Sequence, residues 1–269
     1  MPFTINQGIH IFWREIGSGE PLLLITGLGY SSNMWHHVEA GLASRFRVVV
    51  VDNRGIGKSE APSGPILIPD MAADAAAVLD AAGIESAFVF GLSMGGFIAQ
   101  ELALSHPRRV RALVLGGTTC GGNHAVRAEQ VVQDTLVSRA ALLPEESIRA
   151  MFPYIYDPTT PDERLEADVR VRLADYPDPK VYMGQLAGIQ SWQGCDRLNG
   201  IDVPTMILHG ENDRLVPPAN ARILAGHIEG SRVCMIPDAS HVFTTDAPDV
   251  VVHRLVEFLL DSPEQGCRQ

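Results

Sequence analysis

The 269-residue sequence predicts an α/β protein, a mostly parallel sheet with helices on both faces and an inserted helical cap. Three observations predict it. Short, mostly apolar runs recur along the chain, segments with helical spacing lie between them, and one stretch, 121–196, breaks the alternation. A strand buried on both faces reads as a continuous apolar run rather than an alternating one, and strands alternating with helices imply a parallel sheet covered on both faces.

Taken in order, the stretches around Phe3 to Ile5 and His10 to Arg14 predict an antiparallel edge. Pro21 to Thr26, Arg47 to Val51, Ala87 to Leu92, Ala112 to Leu115, Thr205 to His209 and Val233 to Ile236 then read as buried strands. Helical spacing appears in Met71 to Ala82, Gly95 to His106, Ala219 to Gly226 and Pro248 to Leu260. From Gly121 to Asp196 no strand is evident. Val131, Val132 and Leu136 recur at helical spacing there, and prolines at 144, 153, 158, 161, 177 and 179 cut the segment into short pieces. The predicted organisation is a core of 1–120 and 197–261, a cap of 121–196 and a disordered tail of 262–269.

Composition narrows the partners. With 46% apolar and 20% charged residues the chain can bury one substantial core. A net charge of −11 without a lysine or arginine cluster argues against nucleic acid and against an anionic membrane. No apolar run reaches the roughly 18 residues of a membrane span. The stretch MPFTINQGIHIFW has no secretory pattern, so a cytoplasmic location is expected. Cys120, Cys195, Cys234 and Cys267 match neither a zinc pattern nor a CxxC motif and are read as ordinary thiols, Cys234 as a small buried strand residue.

The chemistry centres on GLSMGG, Gly91 to Gly96. It lies between the apolar runs Ala87 to Phe90 and Phe97 to Ala99. A strand that turns at once into a helix needs small residues at the corner, and the serine there, Ser93, is pushed outward. GxSxG alone also fits an ordinary turn serine. A serine nucleophile needs a base, and the base needs an orienting group. Asp213 stands in GENDRLVP after one predicted strand, and His241 in PDASH after the next. Loops at the carboxyl ends of parallel strands gather in one crevice, so the three can meet. Asp213 competes with a solvated loop carboxylate or a helix cap, and Asp238 is a nearby alternative too close in sequence to His241 to orient it easily. His209, at a strand end, reads as structural. The backbone amides of Leu28, in Thr26-Gly27-Leu28-Gly29, and of Met94 are the candidate oxyanion donors.

Gly57-Lys58-Ser59 resembles the end of a phosphate-binding loop, but Asp52 stands where that pattern requires glycine, so the motif fails. No metal and no organic cofactor are expected. Tyr30, Trp35, Phe97 and Phe243, beside the catalytic loops, and Tyr154 and Trp192, from the cap, are candidate wall residues of a largely apolar pocket.

LLLITGLG, VVVDNRGIGKS, GLSMGG, HGENDRLVP and ASHVF together resemble the α/β-hydrolase family over nearly all of residues 1–261. GLSMGGFIAQELALSHPRRVRALVL is most similar to the 3-oxoadipate enol-lactonases and related small esterases. The resemblance implies an α/β-hydrolase fold and a serine hydrolase acting on a small-molecule carboxylic ester or lactone, without a cofactor. Thr26-Gly27 departs from the His-Gly of many members, which predicts altered hydrogen bonds around that loop. A perhydrolase or haloperoxidase-like activity and a carbon–carbon bond hydrolase are compatible with the same triad. A ligand-binding receptor that retains a slow triad is the rival from another class.

Overall fold

In the computed structural model, which describes residues 2–260, eight strands join in one sheet. They are β1 (Phe3–Asn6), β2 (Ile9–Ile16), β3 (Glu20–Ile25), β4 (Phe46–Val51), β5 (Ala87–Leu92), β6 (Val110–Gly116), β7 (Thr205–Gly210) and β8 (Arg232–Ile236). Their order across the sheet is β1-β2-β4-β3-β5-β6-β7-β8. The β1–β2 and β2–β4 pairs are antiparallel. The remaining pairs are parallel. The expected tail, 262–269, and Cys267 lie outside the described residues.

The helices flanking the sheet are α1 (Glu39–Ala43), α2 (Ile68–Ala81), α3 (Met94–Ser105), α9 (Ala219–His227), α10 (Phe243–Asp246) and α11 (Pro248–Leu260). Between β6 and β7 come α4 (Gln130–Ser138), α5 (Pro144–Ala150), α6 (Phe152–Ile155), α7 (Asp162–Ala174) and α8 (Pro179–Ser191). Successive side chains of a strand point to opposite faces, which divides the apolar runs between two cores. Leu23, Ile25, Val49, Val51 and Val89 pack with residues of α2, α3 and α9. Leu22, Leu24, Val48, Val50 and Phe90 pack with α1 and α11. A third cluster joins Met34 and Val242 of the core to Met151, Ile155 and Tyr156 of the inserted helices.

One expectation is overturned. Cys120 and Cys195 are not separate thiols but form a disulfide between residues 75 positions apart, with Cα atoms 4.9 Å apart. The chain leaves β6 at Gly116, shortly before Cys120, and enters β7 at Thr205, beyond the 3-10 turn that Cys195 opens. A bridge between Gly121 and Gln193 and a hydrogen bond from Gly194 N to Cys120 O (2.9 Å) draw the two ends together. The pairing follows from how the insertion folds back, so spacing along the chain carries no sign of it. Cys234 is buried in β8, as read.

The failed phosphate-loop match has a structural role instead. Asp52 accepts hydrogen bonds from Ser32 N (2.7 Å) and Lys58 N (3.0 Å), and a side chain at Gly57 would collide with its carboxylate. Among the described residues no helix is long and apolar enough to cross a membrane.

Candidate active site

Ser93 sits between β5 and α3 with φ 58° and ψ −119°. A positive φ in a residue with a side chain costs on the order of 1–3 kcal/mol and persists only where the surroundings enforce it. Here Ser93 N donates to Gly116 O (2.8 Å), and Ser93 O accepts from Gly96 N and from Thr118 Oγ1, both at 2.8 Å. Close backbone approach explains the adjacent glycines. A Cβ at Gly91 would lie 2.1 Å from Gly95 O, and one at Gly95 would lie 2.0 Å from Ile25 O.

Asp213 follows β7 and His241 follows β8, and His241 Nδ1 lies 2.8 Å from Asp213 Oδ2. A carboxylate only accepts, so the Nδ1 hydrogen is committed to Asp213 and Nε2 keeps its lone pair. The other oxygen, Oδ1, accepts from Leu215 N (2.9 Å) and Val216 N (2.7 Å). Burial pushes the Asp213 carboxyl up, but the His241 charge and the hydrogen bonds from His209 and His241 outweigh it, leaving the pKa below the usual value. Asp213 is therefore an anion at neutral pH. The competitor Asp238 is exposed in a turn with φ 50°. His209, at the end of β7, stands beside the pair: its Nε2 lies 2.8 Å from Val216 O and 3.3 Å from Asp213 Oδ2.

The His241 loop is tied down by Asp246. Its carboxylate accepts from Ser240 N (2.7 Å), Thr160 Oγ1 (2.6 Å) and Asp157 N (3.3 Å). Burial nevertheless dominates these bonds and raises the Asp246 pKa to about 6.

On the other side of Ser93, the Thr26–Gly29 loop packs so closely that a Cβ at Gly27 would lie 3.1 Å from Ser93 Cβ. Thr26 Oγ1 donates to Tyr30 O (2.8 Å), Asn53 Nδ2 donates to Thr26 O (3.1 Å), and Gly29 N donates to Gln185 Oε1 (3.0 Å) of α8. Thr26 thus ties the loop through its hydroxyl to Tyr30 O and through its carbonyl to Asn53.

Ser93, His241, Leu28 and Met94 line one cavity of about 180 Å³. Of the expected wall residues, Tyr30 and Phe97 face it. Four others do not. Trp35 is buried against Phe90, ring centroids 5.2 Å apart, and Phe243 belongs to the same core beneath the sheet. Tyr154 lies under the Arg214 guanidinium at 5.0 Å. Trp192 packs edge-on against Phe97 at 5.2 Å and donates its Nε1 hydrogen to Glu101 Oε2 (2.7 Å), so it backs the wall without forming it. Nearness in sequence to a catalytic loop does not decide which face of the backbone a ring leaves from.

Sequence reasoning missed Arg139, Glu101 and Gln185. Arg139 is a buried cation on an otherwise mainly apolar wall, its Nε 3.1 Å from Ser147 Oγ and its guanidinium 5.2 Å from the Tyr182 ring. Glu101 also accepts from Arg197 Nη2 (2.7 Å); burial raises its pKa, and the Arg197 and Trp192 bonds outweigh burial to leave it lowered. A lone acid within FIAQELAL, where every residue from Met94 to Ala103 is buried, is a legible signal of such a partner.

The alpha/beta hydrolase fold family model matches residues 20–248. RutD of Azorhizobium caulinodans, provisionally named a carbamate hydrolase, is 32% identical over 262 residues, 96% of this chain and 98% of its own. The enol-lactonase of Burkholderia xenovorans superposes with a TM-score of 0.82 at 28% identity, covering 97% of this chain and 100% of that one. A thermophilic esterase from Thermogutta terrifontis gives 0.83 at 27%, covering 96% of each.

Proposed function

Because the chain belongs to the α/β-hydrolase fold family, we propose that it is a serine hydrolase of small or medium-sized carboxylic esters or lactones. The observation that carries this reading is the convergence of Ser93 and His241 on one cavity, with His241 Nδ1 held 2.8 Å from the Asp213 anion. His241 Nε2 takes the Ser93 proton as Oγ attacks the carbonyl carbon. The amides of Leu28 and Met94 hold the oxygen as it becomes negative, and His241 returns the proton to the departing alkoxide. Water then attacks the acyl-enzyme with His241 again as base. A carbamate would undergo the same acylation, which is how the likeness to RutD fits.

Segment 121–196 is read as a cap that sizes the substrate. Met151, Ile155 and Leu186 from it close the 180 Å³ cavity. An outer cavity of about 540 Å³ shares Phe97, Leu136 and Leu215 with it and gives the leaving group room. Arg139 favours acyl chains ending in a hydrogen-bond acceptor. The expected cytoplasmic location is set against the Cys120–Cys195 bond, which a reducing cytosol does not favour. Thiol labelling of the chain in intact cells decides between them.

The test is turnover of p-nitrophenyl esters of increasing acyl length, a set of lactones and an aryl carbamate by wild type and Ser93→Ala. The variant should lose several powers of ten, up to about a millionfold, and should lose fluorophosphonate labelling. A variant retaining a tenth of the activity, or still labelled, removes Ser93 from the mechanism.

A further inference from the structure

We propose that His36, His37 and Asp168 form a binding site for a divalent transition-metal ion of the zinc type, distinct from the Ser93 cavity, that fastens α7 to the core. None of the three lines that cavity. His36 and His37 directly follow the 3-10 turn Ser32–Trp35, just after the Thr26–Gly29 loop, and Asp168 projects from the inserted helix α7. One ligand atom from each lies within 4.8 Å of the others.

Distance is the first argument. His37 Nε2 and His36 Nε2 lie 3.1 and 3.4 Å from the same oxygen, Asp168 Oδ1. Zinc binds imidazole nitrogen and carboxylate oxygen at about 2.0–2.2 Å, so two ligands at a tetrahedral angle are separated by about 3.3 Å. The two observed separations bracket that value.

Hydrogen bonding is the second argument. His36 Nδ1 lies 3.1 Å from Asn33 O, and a carbonyl only accepts, so the ring hydrogen of the neutral imidazole is on Nδ1. His36 Nε2 then presents a lone pair to the carboxylate, and this buried atom has no hydrogen-bond partner. Two acceptors face each other, a conflict that a cation between them resolves. Asp168 is fully buried, and its second oxygen accepts from Tyr156 Oη (2.8 Å) and Thr245 Oγ1 (2.7 Å), which aims Oδ1 at the two rings. The buried Arg172, one turn further along α7, lies over the Tyr30 ring at 4.6 Å and also interacts electrostatically with Asp168.

The two histidine side chains remain partly exposed, 29% and 15%, so their rings separate the buried carboxylate from solvent. On binding, the His37 hydrogen moves from Nε2 to Nδ1, so no net proton is released. Imidazole with carboxylate suits zinc and cobalt rather than magnesium or calcium. A second cluster, His124, Cys195 and His227, has similar spacing, but the sulfur of Cys195 is committed to Cys120. It serves as the control.

The experiment uses the full chain without an affinity tag, stripped of metal and titrated with Co²⁺ and, by equilibrium dialysis, with Zn²⁺. Wild type should bind about one equivalent, develop the visible absorption of cobalt in a low-symmetry nitrogen and oxygen site, and melt at a higher temperature with the metal. His36→Gln and His37→Gln, both at the accessible side of the site, should each weaken binding at least about tenfold while keeping the wild-type circular dichroism spectrum. His124→Gln should bind as wild type does. The proposal is overturned if folded wild type shows no saturable cobalt spectrum, if both glutamine variants at 36 and 37 bind as wild type does, or if binding is lost in His124→Gln.

Discussion

Replacing both Cys120 and Cys195 by serine should lower the melting temperature by about 8 °C. The bond closes a loop between residues 75 positions apart. Removing it restores to the unfolded chain an entropy of roughly 2.1 + 1.5R ln n, about 15 cal/mol/K for a loop of this length, or about 4.5 kcal/mol at 25 °C. At about 2.1 cal/mol/K per residue, a 269-residue chain unfolds with an entropy near 565 cal/mol/K, and the quotient is about 8 °C. This is a ceiling, because residual structure in the unfolded chain reduces the entropy regained. The assay is thermal unfolding with and without a dithiol. Wild type should shift downward in the dithiol, and the double variant should start low and not move. Thiol titration after denaturation without reductant should find two reactive groups among the four cysteines. Four reactive thiols would refute the bond, and an unchanged melting temperature in the double variant would refute the loop-closure reasoning.

Asp213→Asn should lower kcat by about 10⁴-fold through loss of the correct imidazole tautomer, with Asp238→Asn close to wild type; the opposite ranking would reassign the acid. Asp246 gives a pH prediction. Its carboxyl titrates at about 6 in the fold against 3.8 for the ordinary group, so between these values the folded chain holds a proton that the unfolded chain has released. Stability from this site therefore falls as pH rises from about 4 to 6, by a total on the order of 3 kcal/mol. The lowered groups Asp213 and Asp157 act oppositely, their contributions present above the ordinary value and lost as pH falls through the folded one. Urea unfolding of wild type and Asp246→Asn across this range should show the falling slope in wild type alone, and equal slopes would reject the raised carboxyl. Gly95→Ala should destabilise by about 3 kcal/mol or prevent folding, because its Cβ would meet Ile25 O at 2.0 Å, whereas Gly226→Ala, with nothing within 4 Å, should gain about 0.5–1 kcal/mol. Equal melting temperatures for the two would contradict the contact argument.

The sheet was legible because its strands are apolar on both faces, and Leu22 to Ile25 or Val48 to Val51 admit few other readings. Boundaries drifted where local rules compete. The helix expected from Met71 starts at Ile68, since Pro69 is tolerated in a first turn. Ser93, Asp213 and His241 were legible as a candidate site because each lies just past a strand, and parallel pairing brings such loops together whatever the intervening chain does. The walls of the cavity could not. Tyr30 and Trp35 stand five positions apart with equal claims, and only the path of the chain after β3 sends one to the cavity and the other to the core. Arg139 and the Cys120–Cys195 pair depend on how five helices fold back over the sheet, which leaves no periodic trace.

The bridge from Gly121 to Gln193 also bears on how such a chain can diversify. Exit and re-entry lie side by side, while the neighbouring strands β6 and β7 keep their own register, Leu113 opposite Thr205 through Gly116 opposite Leu208. Residues 122–192 can therefore change in length near their ends without shifting the register of β6 and β7. A transplant must satisfy two splice points one ladder rung apart and also replace the bonds of Thr160 to Asp246 and of Gln185 to Gly29. A different set of helices can then be tried over an unaltered sheet.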